Sequence, residues 1–391
     1  MSLSSNIRKL YAFSFLKMTL FPMAVITLFW KDHIGLSLAQ ILLLQGIFSL
    51  ATLLMEYPSG YLSDHLGYRF SLLFASTLGV AGWGFYTVAD SFAGVLFAEI
   101  LLGISFAFIS GADSALLFET LRQQDREDEY ARFDGRMSGC AQAGEAAGAL
   151  CAGLLYAAAP LLPFFIQVGV WLLALGLCRT LKDPPREPHV APASHLGEAL
   201  RTCRLALVDS PVMRYTILLA TVLGIASYFP VWLIQPYMQQ TGVPLAWFGP
   251  VWAGANLTVA LFSLLSHRFH FRLGDKGMTA LFLGLIVTGY LGLGLTGGVW
   301  SCLFYYLLTA MRGLQGPLLR TRLQNVSSRE NRASILSLKS LIFRLLFVAS
   351  GPLVGHLADT TGLQATFLLL ALIFAAALIP LSRLYLRHAH P

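Results

Sequence analysis

Six ionisable residues stand in stretches that are otherwise almost wholly apolar. Lys17, Glu145, Arg312 and Arg344 fall near the middle of such stretches, Asp113 lies nearer one end of its own, and Glu99 lies near the opposite end of the same stretch. In hydrocarbon a charge at a helix centre costs roughly 2.5–3.5 kcal/mol even on the lower scales. Each of these residues therefore needs a partner, water or a bound solute. The chemistry open to them is holding a charged solute and, for Asp113 or Glu145, taking up a proton when the surrounding space closes.

The stretches that carry them must be membrane spans. Of 391 residues, 56% are apolar and 12% charged, against about 25% charged in soluble domains. A bilayer core of about 30 Å needs roughly 20 mostly apolar residues per helix. The sequence supplies twelve such stretches, at about 10–30, 38–62, 70–89, 92–117, 134–158, 161–180, 212–236, 245–266, 277–297, 299–319, 333–356 and 364–385. The first follows Arg8 and Lys9, exceeds the length of a signal-peptide core, and is expected to be retained. The predicted class is an all-α membrane protein of twelve transmembrane helices.

The net charge of +7 does not point to nucleic acid, because Arg69, Arg122, Arg179, Arg268, Arg320 and Arg383 all fall in alternate loops or tails, with Lys31 on the other side. This is the positive-inside asymmetry; it puts both termini in the cytoplasm and requires an even number of spans. The five cysteines lie within spans or on the cytoplasmic side in no metal-binding spacing, so neither disulfides nor a metal site is expected.

The longest polar segment, near 183–210, contains Pro184, Pro185, Pro188 and Pro192 and separates a first six-span half, 1–182, from a second, 211–391. Proline keeps its first part extended, while His195 to Val208 reads as a short surface helix with Leu196, Leu200, Cys203 and Leu207 on one face. An offset of about 200 residues aligns Gly111, Leu116, Leu117 and Leu121 with Gly313, Leu318, Leu319 and Leu323, a weak match of the kind parallel repeats leave.

The most specific segment follows the second span: Gly60-Tyr-Leu-Ser-Asp64-His-Leu-Gly67-Tyr-Arg69. It resembles the signature loop between helices two and three of the major facilitator superfamily, Gly-x-Leu-(Ala/Ser)-Asp-x-x-Gly-Arg-(Lys/Arg), departing at Tyr68, where the family usually carries arginine. The bland reading of Gly60, Asp64, Gly67 and Arg69 is an ordinary turn between spans; its position and spacing favour the family. Gly60 allows close helix approach, Gly67 the reversal, and Arg69 anchors the cytoplasmic side. Asp64, Arg69 and Glu119 are structural or gating groups on this reading, not substrate ligands. The corresponding loop of the second half, Ser266 to Asp275, keeps only a basic residue and a glycine. Ser110 to Glu119 and Arg332 to Gly355 also look like segments of bacterial facilitator-type transporters.

The resemblance implies two pseudo-symmetric six-helix bundles and a central cavity lined chiefly by spans one, four, seven and ten. Lys17, Asp113 and Arg312 are then cavity residues, with Tyr228 and Gln235 from span seven; Glu145 and Arg344 join them by depth. The competing reading is that these charges only pair across helices and hold the bundle together. Fourteen residues separate Glu99 from Asp113, which would put both on nearly one helix face. Gly144/Gly148 and Gly351/Gly355 read as small-residue pairs for close packing. Span five has Glu145 where the drug antiporters of the superfamily carry proline. Gly292-Leu-Gly294-Leu-Thr-Gly297 matches a dinucleotide fingerprint by letter only, lying inside a span with no strand before it.

The expected function is secondary active transport by alternating access, driven by a proton gradient with no bound cofactor, in the bacterial inner membrane, by a monomer. The cargo is a small molecule, anionic or zwitterionic because Lys17, Arg312 and Arg344 outnumber the mid-depth acids. Export of an organic metabolite or drug stands first, and proton-linked uptake of an organic anion such as a siderophore or sugar acid second. A membrane-embedded lipid enzyme is disfavoured, since the sequence has no His-Glu-x-x-His and no Gly-x-Ser-x-Gly; a phosphate-binding loop is absent as well.

Overall fold

The computed structural model describes residues 4–184, 201–327 and 331–388. Among the described residues every regular element is helical. The principal helices are α1 (Ser4–Met18), α2 (Leu38–Leu66), α3 (Tyr68–Tyr86), α4 (Phe92–Ile109), α5 (Ala112–Arg122), α6 (Tyr130–Ala158), α7 (Leu162–Arg179), α8 (Pro211–Gln240), α9 (Phe248–Leu295), α10 (Tyr305–Val326), α11 (Arg332–Thr361) and α12 (Leu363–His388). Helices α4 and α5 form one span, and α9 turns at Gly274 (φ 61°) and covers two, so the described residues contain twelve spans. Seven helices are long and apolar enough to cross a membrane on length and composition alone. Helices α1, α3, α6 and α10 fall outside that set; α1, α6 and α10 carry Lys17, Glu145 and Arg312, whereas Arg344 lies in α11, which is within it.

Two spans depart from a continuous helix. Span one ends its first helix at Met18 and resumes at Ile26. Pro22 lies in the break, where it offers no amide to a helix, and the Phe21 amide instead donates to Gln167 Oε1 at 2.9 Å. Span four breaks at Ser110–Gly111, where Gly111 takes φ +92°. That break corrects the expected common face of Glu99 and Asp113: a 100° step per residue holds only along an unbroken helix. Glu99 instead is buried against Gln45 of α2 and Tyr86 of α3.

The chain divides into two compact units. The first comprises Met1–Leu36, Leu43–Val190 and Pro244–Ala253; the second comprises Ser37–Leu42, Ala191–Val243 and Gly254–Pro391. In the first, α1 packs on α6 and α3 on α4 and α7. Gly144 and Gly148 make the α1–α6 approach close: a Cβ on Gly144 would lie 2.2 Å from the Phe15 carbonyl oxygen, and one on Gly148 would lie 2.8 Å from the Leu20 amide. Gly139, on the same helix, has nothing within 4 Å of such an atom. Gly144→Leu is expected to cost about 1–3 kcal/mol by overpacking, and Gly139→Leu less than about 0.5 kcal/mol. Thermal unfolding in detergent checks this; equal melting temperatures would mean that the approach is not tight.

In the second unit, α8 packs against α10, α11 and α12. Two buried tyrosine hydroxyls within it find carbonyl partners, which apolar surroundings favour: Tyr290 donates to the Ala226 oxygen at 2.7 Å, and Tyr237 to the Leu293 and Thr296 oxygens at 2.7 and 2.8 Å. Of the expected linker helix, residues 195–200 lie outside the described residues, as do Pro185, Pro188 and Pro192. In the part that follows, Ala206 is buried with Met213, Ile217, Leu323, Ile335 and Leu338, and Cys203 and Leu207 pack against that cluster. This face therefore covers helices of the second unit.

Candidate functional site

In the first unit, Lys17 and Asp113 form an ion pair, with side chains 18% and 6% exposed. Local structure prepares both charges. Lys17 occupies the last turn of α1 and Asp113 the first turn of α5, so each sits at the helix end whose dipole favours its sign. The break at Gly111 supplies that second helix start. Asp113 Oδ1 also accepts from the Ser114 amide at 2.7 Å and its hydroxyl at 3.3 Å. The pair lines a cavity of about 370 Å³ together with Ser14, Ser114, Asp134 and Ser138. Asp134 was not singled out from the sequence.

The second unit holds a cavity of about 820 Å³ lined by Tyr228, Arg312, Gln315, Arg320, Lys339 and Phe343, among others. No aspartate or glutamate lies among its lining residues within the described part of the chain. Arg312, half-buried, stands 5.8 Å from the centre of the Tyr228 ring, within range of a cation–π attraction. Tyr228 is fixed edge-on by Phe343 and Phe347 at 5.5 and 4.8 Å between ring centres. Gly313 lets α10 lie close to α9, since a Cβ there would be 2.5 Å from the Val259 oxygen, and this sets Arg312 against the cavity. The structure thus brings Tyr228 and Arg312 together and adds Arg320 and Lys339, which sit near span ends and were not expected at a site.

The other candidates lie elsewhere. Gln235 is buried in α8 at 2% exposure, Glu145 is half-buried on α6, and Arg344 is half-buried on α11 with its Nε 3.5 Å from the Ser340 hydroxyl. None of the three lines either cavity. Depth along a span is readable from residue count; which way a side chain faces is decided by packing.

The signature loop is a short joint between α2 and α3. Gly67 takes φ 109°, a left-handed value that favours glycine. The Ser63 and Ser71 hydroxyls meet at 2.7 Å across the turn. Arg69 ties the loop to the end of α7: its amide donates to Asp183 at 2.9 Å and its guanidinium to the Arg179 carbonyl at 2.8 Å. Gly60 and Asp64 are exposed, and Glu119 pairs with Arg122 at 3.5 Å. In the corresponding loop of the second unit the acid follows the glycine instead of preceding it. Asp275 lies 2.8 Å from Arg322 and 3.0 Å from His270. Burial pushes its carboxyl up, but hydrogen bonds from His270 and Arg322 outweigh this and hold it below the usual carboxylate range.

A second copy of the signature escaped the sequence reading. Gly355-His-Leu-Ala-Asp359-Thr-Thr-Gly362 repeats the Gly-x-Leu-(Ser/Ala)-Asp-x-x-Gly spacing, and Gly362, at φ 84° and ψ 159°, adopts nearly the backbone of Gly67, at φ 109° and ψ 154°. Asp359 accepts from the Leu38 and Ala39 amides at 2.8 and 3.0 Å, residues of its own unit. Ser37 and Gln40 complete this helix start by reciprocal capping at 3.0 and 3.2 Å. The motif lies at the end of span eleven, whereas the repeat of the two halves points to the loop after span eight.

Two units of helical spans, each with a charged cavity among apolar helices, define a multi-pass membrane transporter. Residues 10–338 match the Major Facilitator Superfamily, and the chain belongs to that family. It is 23% identical over 387 residues to the uncharacterized MFS-type transporter YxaM of Bacillus subtilis (strain 168), covering 94% of this chain and 93% of that one. Among solved structures it is similar to the nucleoside transporter NupG, with a TM-score of 0.79 at 13% identity over all of both chains. It is also similar to a bacterial homolog of the human lysosomal transporter Spinster, with a TM-score of 0.77 at 17% identity over 99% of this chain and 98% of that one. At such identities the likeness to the solved structures speaks for the fold alone. An enzymatic role is not supported.

Proposed function

We propose that the protein is a secondary active transporter that carries a small organic anion together with protons by alternating access. We place it in the bacterial inner membrane with both termini cytoplasmic, acting as a monomer without a bound cofactor. The observation that carries this reading is the cavity of the second unit, where Arg312, Arg320 and Lys339 stand with no carboxylate among the lining residues. Uncompensated cations are costly among apolar helices, which applies to half-buried Arg312 and Lys339 more than to exposed Arg320, and an anionic cargo supplies the missing charge.

The ion pair of the first unit supports coupling. With Asp113 ionised, the Lys17 ammonium is neutralised within the protein. A proton on Asp113 removes that counter-charge and leaves Lys17 needing an anion. Proton and anion are therefore favoured together, which is the logic of symport and, under an inward proton gradient, of uptake. Export, which the sequence placed first, requires proton and cargo to compete. It is favoured by one feature, the two carboxylates Asp113 and Asp134 on the first-unit cavity, which suit a cationic drug.

Proteoliposomes with an acid exterior test the choice. Accumulation of labelled organic anions severalfold above protein-free liposomes is expected; accumulation of cations only, or of no charged solute, would reject the anion reading.

A further inference from the structure

Gln315 is the cavity residue that an anionic cargo alone does not explain. It lies on α10 three residues beyond Arg312, on the same helix face, lines the same cavity, and is 8% exposed. Its Oε1 atom is buried and meets no hydrogen-bond donor among the described residues. The three cations around the cavity are donors, matched to acceptor oxygens of a carboxylate or phosphate. Gln315 Oε1 is the reverse, an acceptor without a donor, and no oxygen of an ionised acid can fill it.

From this we infer that Gln315 selects among organic anions, taking those that carry a hydroxyl, amino or amide donor close to the acidic group. The inference rests on the anion reading above and narrows its substrate class. Residues three apart on a helix have Cβ atoms about 5–6 Å apart, so the acid held at Arg312 and the donor held at Gln315 are separated by only a few bonds. The Tyr228 and Phe343 rings border the same space, which suits a flat or cyclic skeleton between the two groups. Discrimination arises because a cargo that carries the donor fills an acceptor that is otherwise unpaired, whereas a cargo lacking it leaves that acceptor as it was.

The test uses the full-length chain in detergent and matched acid pairs: lactate against propionate, mandelate against phenylacetate, and para-hydroxybenzoate against benzoate. Dissociation constants are measured by titration for the wild type, Gln315→Leu and Arg312→Ala. In each pair that binds, the hydroxylated member is expected to bind the wild type at least about tenfold more tightly. In Gln315→Leu this preference is expected to fall below about twofold, while Arg312→Ala weakens both members alike. Gln315→Met, which keeps the side-chain length, replaces the leucine variant if that one does not fold. Equal binding of both members to the wild type, or a preference that survives loss of the amide, overturns the assignment of Gln315 while leaving the anion reading intact. Failure of every acid to bind the wild type overturns the anion reading and the inference with it.

Discussion

Arg312→Ala is expected to weaken anion binding by about 30-fold or more. Removing one partner of a desolvated, hydrogen-bonded charge pair costs about 2–5 kcal/mol, and each 1.4 kcal/mol is tenfold. Arg312 is, like Lys339, a half-buried cation of the second-unit cavity, and it is backed by the face of a tyrosine that two phenylalanines hold in place. Arg320 is exposed near the end of α10 and is expected to contribute less, because solvent screens it. Arg312→Lys is expected to recover only part of the affinity, since a lysine ammonium lacks the planar two-pronged fit to a carboxylate. Arg344→Ala serves as the comparison: that residue lies at similar depth but does not line the cavity, and its loss is expected to change affinity by less than about threefold. Titration of a bound anion against the four proteins measures the series. If Arg344→Ala proved as damaging as Arg312→Ala, affinity would follow depth in the membrane and not membership of the cavity.

Asp113→Asn is expected to abolish uphill accumulation while leaving exchange of cargo across the membrane intact. The substitution keeps the shape of the side chain and removes the group that binds the coupling proton. It also leaves Lys17, whose side chain is 18% exposed, without its internal counter-charge. Breaking a buried pair from one side costs up to about 3–5 kcal/mol, and the opening of this pair onto a cavity places the expected loss below that range. The variant should therefore melt at a lower temperature than the wild type, and added anion should restore part of the difference by pairing with Lys17. Lys17→Ala removes both features and is expected to show neither the restoration nor coupled uptake. If Asp113→Asn accumulated cargo as well as the wild type, the proton site would have to be sought elsewhere.

Much of this architecture could be read from residue order. Twelve apolar stretches, the alternate placement of arginines and the loop from Gly60 to Arg69 led to the fold and to the family. Lys17, Asp113 and Arg312 stood out as site candidates because charge at depth is costly and therefore conspicuous, and Tyr228 followed from the resemblance to the family. What was not legible followed from backbone breaks and helix rotation. Ser110-Gly111-Ala112 reads as uninterrupted helix, since glycine is tolerated there at a modest penalty; only the left-handed φ of Gly111 shows that Asp113 begins a new helix and gains its dipole. Glu145 and Arg344 were expected at the site by depth and Gln235 by resemblance, and none of the three is among the lining residues of either cavity. Arg320 and Lys339 were passed over because charges near span ends are ordinary, although a wide cavity makes them part of its wall. Asp359 was not expected for a simpler reason: its motif recurs after span eleven, not in the loop after span eight to which the repeat of the halves points.

The exchange of partners at Lys17 is the step on which transport turns in this account. It is tested most directly by recording luminal pH in proteoliposomes when an inward gradient of a membrane-impermeant organic anion is imposed without any pH difference, with protein-free liposomes as the blank. The account predicts that the wild type acidifies the lumen as the anion enters and that Asp113→Asn does not. Anion entry with no change in luminal pH, or with alkalinisation, would contradict it.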